Sequence, residues 1–528
     1  MQTRDTIHIT PAEWRWVVIF GGALVIVAFV PFLWVALSGA VGTQWQFMGV
    51  LNNYRDGATY LSKMQQGMGG SWLVSFWHTP EPHSGAFIQV IYPALGQLAR
   101  LIGLQPIALF HAARVAASFV MYMALYQLGA SVWMRLRARR IFFVLAAVGS
   151  GLGWFFYPLM PDANFPDLTI PEMFPLYSSL VNVHFPLALA CLALIASVVI
   201  VAFRPGERSD PSMNNGGLLA GVLSFALSLL YPQALMSIGI AIGVYVLVHW
   251  YQQRRIRQRE LRWLLVIVLP AVPMAAYYAA VVTYNPVLNE WARQNVTPAP
   301  SPLVMLLGLG VPLLMALPGI YRAVRRFEPD GDQFVLLWLV VILVMVYLPT
   351  SIQRRFAAGM MLPIAYFATR SLEDFWFRYV NRRWRYRLLV VVVPLITLST
   401  VLLLAINLRV NVGPFLSRDY AGALLWLQDH AQSDDVILAS EEVSVWVPAW
   451  AAARVVYGHP FETLDAATKR LEVLDWFSGQ AADCEVLLEK YNVRYVIFGP
   501  LEERSAPPDC LESLRLVARS GSVAIYAT

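Results

Sequence analysis

Apolar and polar residues alternate along this chain on two scales. Up to about residue 408 the apolar positions come in long blocks, and beyond Asn411 they recur at the short periods of ordinary helices and strands. A membrane-spanning helix needs roughly 20 apolar residues, within about 17–25. Such blocks cover Trp16–Leu37, Ile107–Trp133, Ile141–Tyr157, Asn182–Phe203, Gly217–Leu230, Ala234–Trp250, Leu264–Tyr284, Pro302–Ile320, Gln333–Pro349, Phe356–Phe377 and Leu388–Leu408. They predict an α-helical polytopic membrane protein with about eleven transmembrane helices.

The segment Ala86–Gly103 is also apolar, but Pro93 and Arg100 interrupt it. It is read as a helix lying along the membrane interface. With that reading Arg4 and Arg15 precede the first span on the cytoplasmic side. The clusters Arg135–Arg140, Arg204 and Arg208, Arg254–Arg262, Arg322–Arg326 and Arg378–Arg387 then share that side. Counting the segment as a span would put most of them outside, against the positive-inside bias. The amino terminus is therefore expected in the cytoplasm and the carboxy terminus outside, in a multi-pass protein of the plasma membrane.

Two domains follow from the change of scale. Residues 1–410 form the transmembrane module, with outer loops at about 38–106 and 158–181, and residues 411–528 form a small extracytoplasmic α/β domain. In the latter, Tyr420–His430 and Glu485–Tyr491 read as helices, Asp435–Ala439 and Arg494–Gly499 as strands, and Leu514–Ala527 as a hairpin around Ser520-Gly521.

Composition agrees with the pattern. Of 528 residues 58% are hydrophobic and only 14% charged, which excludes a soluble enzyme of this size. The net charge of +6 comes almost wholly from arginines between apolar blocks, so it reports topology and no nucleic-acid partner. Lysine occurs only at Lys63, Lys469 and Lys490. Cys191 lies in an apolar block, while Cys484 and Cys510 either pair in an oxidising space or remain free thiols.

The stretch from Asn52 to Gly85 carries the first candidate chemistry. Asp56 is one of few carboxylates in the amino-terminal half, and Tyr60, Gln65, Gln66, Trp72, Trp77, His78 and His83 surround it in sequence. A carboxylate among amides and aromatic faces suits general-base work on a hydroxyl or the orientation of a sugar. The competing reading is a solvated loop with aromatic interface anchors. A second loop, Pro161–Glu172, brings Asp162, Asp167 and Glu172 together before His184, and its oxygens could hold a divalent cation such as Mg or Mn. Solvated or helix-capping acids are the alternative.

Arg354 and Arg355 break the inside-positive pattern, and a guanidinium pairs two phosphate oxygens at once. Arg114, within a span near its outer end, is a costly charge to bury and so a functional candidate, for which a first-loop carboxylate could be a partner. Gly149-Ser150-Gly151-Leu152-Gly153-Trp154 lacks a following lysine and reads as close helix packing. HExxH and CxxC are absent, and Tyr457-Gly458-His459-Pro460 is too short a signal to name a site.

Taken together, Asp56 and Tyr60 with Gly67 and Gly70-Ser71-Trp72, Ala112–Tyr126 with Arg114, Asp167-Leu168 and Pro171-Glu172 before His184-Phe185, and Arg355 with Gly359 and Pro363 form a familiar pattern. So do the carboxy-terminal Val496–Gly499 and Val523–Tyr526. The pattern resembles the GT-C membrane glycosyltransferases, in particular the bacterial family 39 (protein mannosyltransferase-like) proteins. One departure is that many relatives carry two adjacent acids in the first loop, whereas Arg55 and Gly57 flank Asp56 here.

The resemblance implies transfer of a sugar from a polyprenyl-phosphate donor to an acceptor at the outer membrane face, with inversion. It casts Asp56 as the catalytic residue, a base or acceptor-orienting group. Arg355 would be a phosphate contact, and Asp167 or Glu172 would match the second-loop acids. Tyr60, His83, Arg114, His184 and Arg354 are further substrate-binding candidates, and Asp167 and Glu172 the metal candidates. A multi-pass transporter or lipid flippase, or a non-catalytic scaffold, are the competing functions.

Overall fold

Each apolar block of the sequence holds a helix in the computed structural model, which describes residues 9–38, 44–204, 213–480, 484–503 and 508–528. Arg4 and Arg208, and residues 39–43 of the first outer loop, lie outside the described residues. Among the described residues, eight helices are long and apolar enough to cross a membrane, from Pro11–Val35 to Arg383–Ile406. Asn215–Leu230 and Gly331–Val346 are shorter apolar helices. The block Phe356–Phe377 folds as the helix Met361–Ser371, which runs through a π-helical turn at Leu372–Trp376.

The chain separates into two compact units. One comprises the chain up to Val30, Ala113–Tyr277 and Val296–Ile406; the other comprises Pro31–Ala112, Tyr278–Asn295 and Asn407–Thr528. The first unit is helical, and small residues set its spacing. A Cβ on Gly151 would fall 2.0 Å from the Gly308 carbonyl oxygen, so the glycine-rich stretch serves backbone-to-backbone contact. Arginines at the helix ends do more here than mark a side. Arg139, 4% exposed, pairs with Glu13 at 2.7 Å, and Arg137 grips both oxygens of Glu373 at 2.7 Å.

The second unit joins the first loop to the tail. The expected interface segment is a helix over Ile91–Ile102, whose 12 residues are too few to span. Tyr92, Gly96 and Ala99 face inward, while Leu98, Leu101 and Ile102 are exposed. It packs on the helix Tyr54–Met68. A Cβ on Gly67 would meet the Pro93 oxygen at 2.3 Å and one on Gly96 the Met64 oxygen at 2.1 Å, so the two backbones touch. Tyr60 stacks on Tyr92 at 4.4 Å beside this contact.

Strand β1 (Trp45–Phe47) pairs antiparallel with β2 (Phe415–Ser417), placing Phe47 opposite Phe415. Downstream, β3 (Val436–Leu438), β4 (Arg454–Val455), β5 (Val493–Phe498), β6 (Arg515–Ser520) and β7 (Val523–Ala527) form one sheet in the order β4-β3-β5-β7-β6. β3 runs parallel to β4 and β5, and β7 runs antiparallel to β5 and β6. The helices Arg418–His430, Ala466–Phe477 and Cys484–Lys490 complete the α/β domain. Trp476 and Phe477 pack against Leu438 and Val496 in its core.

Cys484 and Cys510 form a disulfide across 26 residues of chain, which resolves the two sequence readings in favour of pairing. Closing a loop of that length restricts the unfolded chain. Cys510→Ser is expected to destabilise the second unit by about 2–4 kcal/mol. The check is a lowered melting temperature matched by the wild type in reductant.

Candidate functional site

Asp56 sits in the first turn of the helix Tyr54–Met68, where the helix dipole favours negative charge. Asn53 precedes that helix in the left-handed region (φ 51°, ψ 47°) and donates its side-chain amide to Asp56 Oδ2 at 2.5 Å. His459 Nε2 lies 3.1 Å from Asp56 Oδ1. The Asp56 side chain is 36% exposed, whereas His459 is 3% exposed. Burial opposes ionisation of Asp56, but the hydrogen bonds from His459 and Asn53 outweigh it and hold the carboxyl below its usual range.

The tautomer of His459 follows from its other nitrogen. Nδ1 accepts the backbone N–H groups of Phe461 and Glu462 at 3.1 and 3.2 Å, so the proton is on Nε2 and points at Asp56. Thr463 Oγ1 accepts the backbone N–H groups of Gly458 and His459 and donates to the His78 carbonyl at 2.5 Å. The imidazole is thereby fixed by its own turn.

A charge pair lies beneath this hydrogen bond. Lys63, two turns after Asp56 on the same helix, meets Glu462 at 2.5 Å and Thr59 Oγ1 at 3.1 Å. His78 donates from Nε2 to the Val445 carbonyl at 3.0 Å and turns Nδ1 toward Glu462 at 3.7 Å. Burial works against the Glu462 charge, yet the Lys63 ammonium, with His78, holds it far below the usual carboxylate range. Burial also keeps His78 below the usual histidine range.

The other first-loop candidates are built into the same unit. Tyr60 is 6% exposed and its face is covered by Tyr92. His83 accepts the Phe76 N–H at Nε2 and donates from Nδ1 to the Glu81 carbonyl, both at 2.9 Å, so its nitrogens serve its own loop. Glu81 in turn pairs with Lys469.

In the first unit, Glu172, His184, Arg354 and Arg355 gather around Tyr231. Tyr231 donates to Glu172 Oε1 at 3.2 Å, His184 stacks on its ring at 6.3 Å, and both arginines lie within electrostatic reach of its hydroxyl. Asp167 is bound differently. Its Oδ2 accepts Gly153 N–H at 2.8 Å and Ser399 Oγ at 2.5 Å, while Oδ1 is buried without a hydrogen bond. Burial pushes its carboxyl up to about 6. Asp162, in contrast, is exposed. Among the described residues, no group of three or more His, Cys, Asp or Glu side chains is placed to hold a metal ion.

Arg114 is fully buried, donates to the Leu180 carbonyl at 2.5 Å and lies over the Phe29 ring at 4.3 Å. Leu180 is in the last turn of the helix Pro175–Val181, where a cation satisfies an end carbonyl.

Sequence reasoning missed His459, Glu462 and Lys63. A signal was present: Asp56 and Lys63 share one helix face, and His459 and Glu462 are three residues apart, in the opposite order of charge.

No protein-family model matches the sequence, and no curated protein is significantly similar to it. Solved structures do share its fold. The apo oligosaccharyltransferase of Archaeoglobus fulgidus superposes with a TM-score of 0.60 at 13% identity, over 93% of this chain and 70% of that one. ArnT from Cupriavidus metallidurans, bound to undecaprenyl phosphate, gives 0.56 at 14% identity, over 97% and 98%. The arabinofuranosyltransferase AftD from Mycobacteria gives 0.52 at 14% identity, over 97% and 41%. The expected architecture, a polytopic helical module with a small carboxy-terminal α/β domain, is thus the fold that this chain shares with these three membrane-protein structures.

The buried pair makes a stability prediction. Glu462→Gln leaves the Lys63 ammonium without its counter-charge and is expected to cost about 3–5 kcal/mol. Because Glu462 is depressed in the folded state, its contribution is full above about pH 4.5 and fades as the pH falls toward the folded value. Thermal melting should show a wild-type decline below pH 4.5 that is blunted in the Glu462→Gln variant.

Proposed function

We propose that this chain is an inverting glycosyltransferase of the plasma membrane. It would move one sugar from a polyprenyl-phosphate carrier to an acceptor at the outer face. The observation that carries this reading is Asp56, a partly exposed carboxylate kept ionised by two aimed donors within a GT-C fold. Of the proteins sharing that fold, the oligosaccharyltransferase has been seen with an inhibitory peptide and a dolichol-phosphate, and ArnT with undecaprenyl phosphate. A lipid phosphate donor is the class these ligands suggest.

Sidedness supports the same reading. Asp56 bonds directly to His459 of the tail domain, so the two lie on one side of the membrane. The Cys484–Cys510 bridge favours an oxidising space for that side.

In the reaction the acceptor oxygen bonds to the anomeric carbon as the carbon–oxygen bond to phosphate breaks. The bonding electrons leave on the polyprenyl phosphate, and the hydroxyl proton passes to Asp56. A carboxylate held below its usual range is a modest base, so Asp56 mainly orients the hydroxyl and takes the proton late. Arg354 and Arg355 are assigned to a phosphate, whose oxygens match the guanidinium fork. A sulfate and Zn were bound in one structure of the archaeal oligosaccharyltransferase. In this chain Asp167, whose Oδ1 is buried without a hydrogen bond, and Glu172 are the residues that would hold a divalent cation, which would stabilise charge developing on the leaving phosphate.

Purified protein incubated with radiolabelled polyprenyl-phosphate sugars is expected to transfer label, and Asp56→Asn to lower that rate by about 100-fold or more. Transfer that survives the substitution contradicts the role of Asp56. Uptake into proteoliposomes without transfer contradicts the enzyme and favours a transporter.

A further inference from the structure

His459 offers Asp56 a hydrogen bond that its surroundings make permanent. A free imidazole exchanges its one proton between its two nitrogens. This one does not do so without breaking its turn. A proton on Nδ1 would face the N–H groups of Phe461 and Glu462, two donors already aimed at that nitrogen. The ring is also anchored through the backbone, because His459 N–H donates to Thr463 Oγ1 at 3.0 Å and the His459 carbonyl accepts Thr463 N–H at 3.0 Å. At 3% exposure it has little water to turn to.

We propose that His459 is a positioning residue, a neutral donor that fixes the orientation of the Asp56 carboxylate from below and leaves the exposed part of that carboxylate for the substrate. The inference rests on the catalytic reading of Asp56 for its kinetic consequence but not for its structural one. The charged groups around the pair are Arg55 and Lys63 from the Asp56 helix, Glu462 from the His459 turn, His78 from the first loop, and Glu441 through Arg55. Lys63 and Glu462 neutralise each other at 2.5 Å, while Glu441 is shared by Arg55 at 2.6 Å and Arg470 at 2.8 Å. His78, whose ring centroid is 6.0 Å from that of His459, is the remaining group that could titrate nearby.

The test has two arms on the full-length protein. In the first, histidine is 15N-labelled, and the His459 signals are identified by their loss in His459→Gln. The expected spectrum has a protonated Nε2 and a bare Nδ1. A proton on Nδ1 overturns the inference whether or not the protein transfers sugar. His78→Gln identifies the His78 signals, so that they are not mistaken for those of His459.

In the second arm, kcat/KM for sugar transfer is followed against pH. His459→Ala is expected to move the acidic limb up by about one pH unit, the size of one hydrogen bond to a charged group. His459→Gln, which can place an amide N–H where Nε2–H was, is expected to restore the limb. An acidic limb that stays put in His459→Ala, with only the melting temperature lowered, assigns His459 a structural role and overturns the proposal. A wild type that transfers nothing fails the glycosyltransferase reading, while the first arm still decides the state of His459.

Discussion

Polar pairs of opposite order fasten the first loop to the tail domain. Asp56 meets the neutral donor His459, Lys63 meets Glu462, and Glu81 meets Lys469, so acid, cation and acid on one side find donor, acid and cation on the other. All three lysines of the chain are spent in ion pairs of this unit, the third being Lys490 with Glu472. Buried pairs of this kind add little net stability over apolar packing, but a wrong register leaves bare charges at a cost of several kcal/mol. Their effect is to select one docking of the loop on the tail. That docking aims the Nε2–H of His459 at Asp56.

The membrane unit uses charge in a related way. Arg137 and Arg139, expected only to mark the cytoplasmic side, also pair with Glu373 and Glu13, and Arg370 pairs with Asp332. Buried acids in this unit divide by partner. Glu172 sits by Tyr231 within a cluster that includes two arginines, whereas Asp167 caps the turn at Gly153 through one oxygen and is pushed toward its neutral form by burial. The two second-loop acids, which look equivalent in sequence, therefore differ in chemistry.

Much of the fold was legible because its signals are long or strongly periodic. The apolar blocks, the short helix within Ala86–Gly103 and the hairpin at Ser520-Gly521 depend on local pattern, and each holds the kind of element expected of it. The strand Arg454–Val455 and the helix Ala466–Phe477 were not foreseen. The strand has only two residues, and its pairing with β3 is decided by tertiary contacts. The site was only half legible. Asp56 stood out as a rare carboxylate, but His459 lies 403 residues away, and no local rule joins the two. Tyr60 and His83 drew attention as ring-bearing neighbours in sequence, yet one is stacked against Tyr92 and the other is bonded to its own loop.

The account stands on the first loop and the tail sharing the outer face of the membrane. Single cysteines at exposed positions, Ser71→Cys in the loop and Asp434→Cys in the tail, can be treated with a membrane-impermeant maleimide in intact cells. Both are predicted to label without permeabilisation. A cysteine at either position that labels only after the membrane is opened would contradict the account.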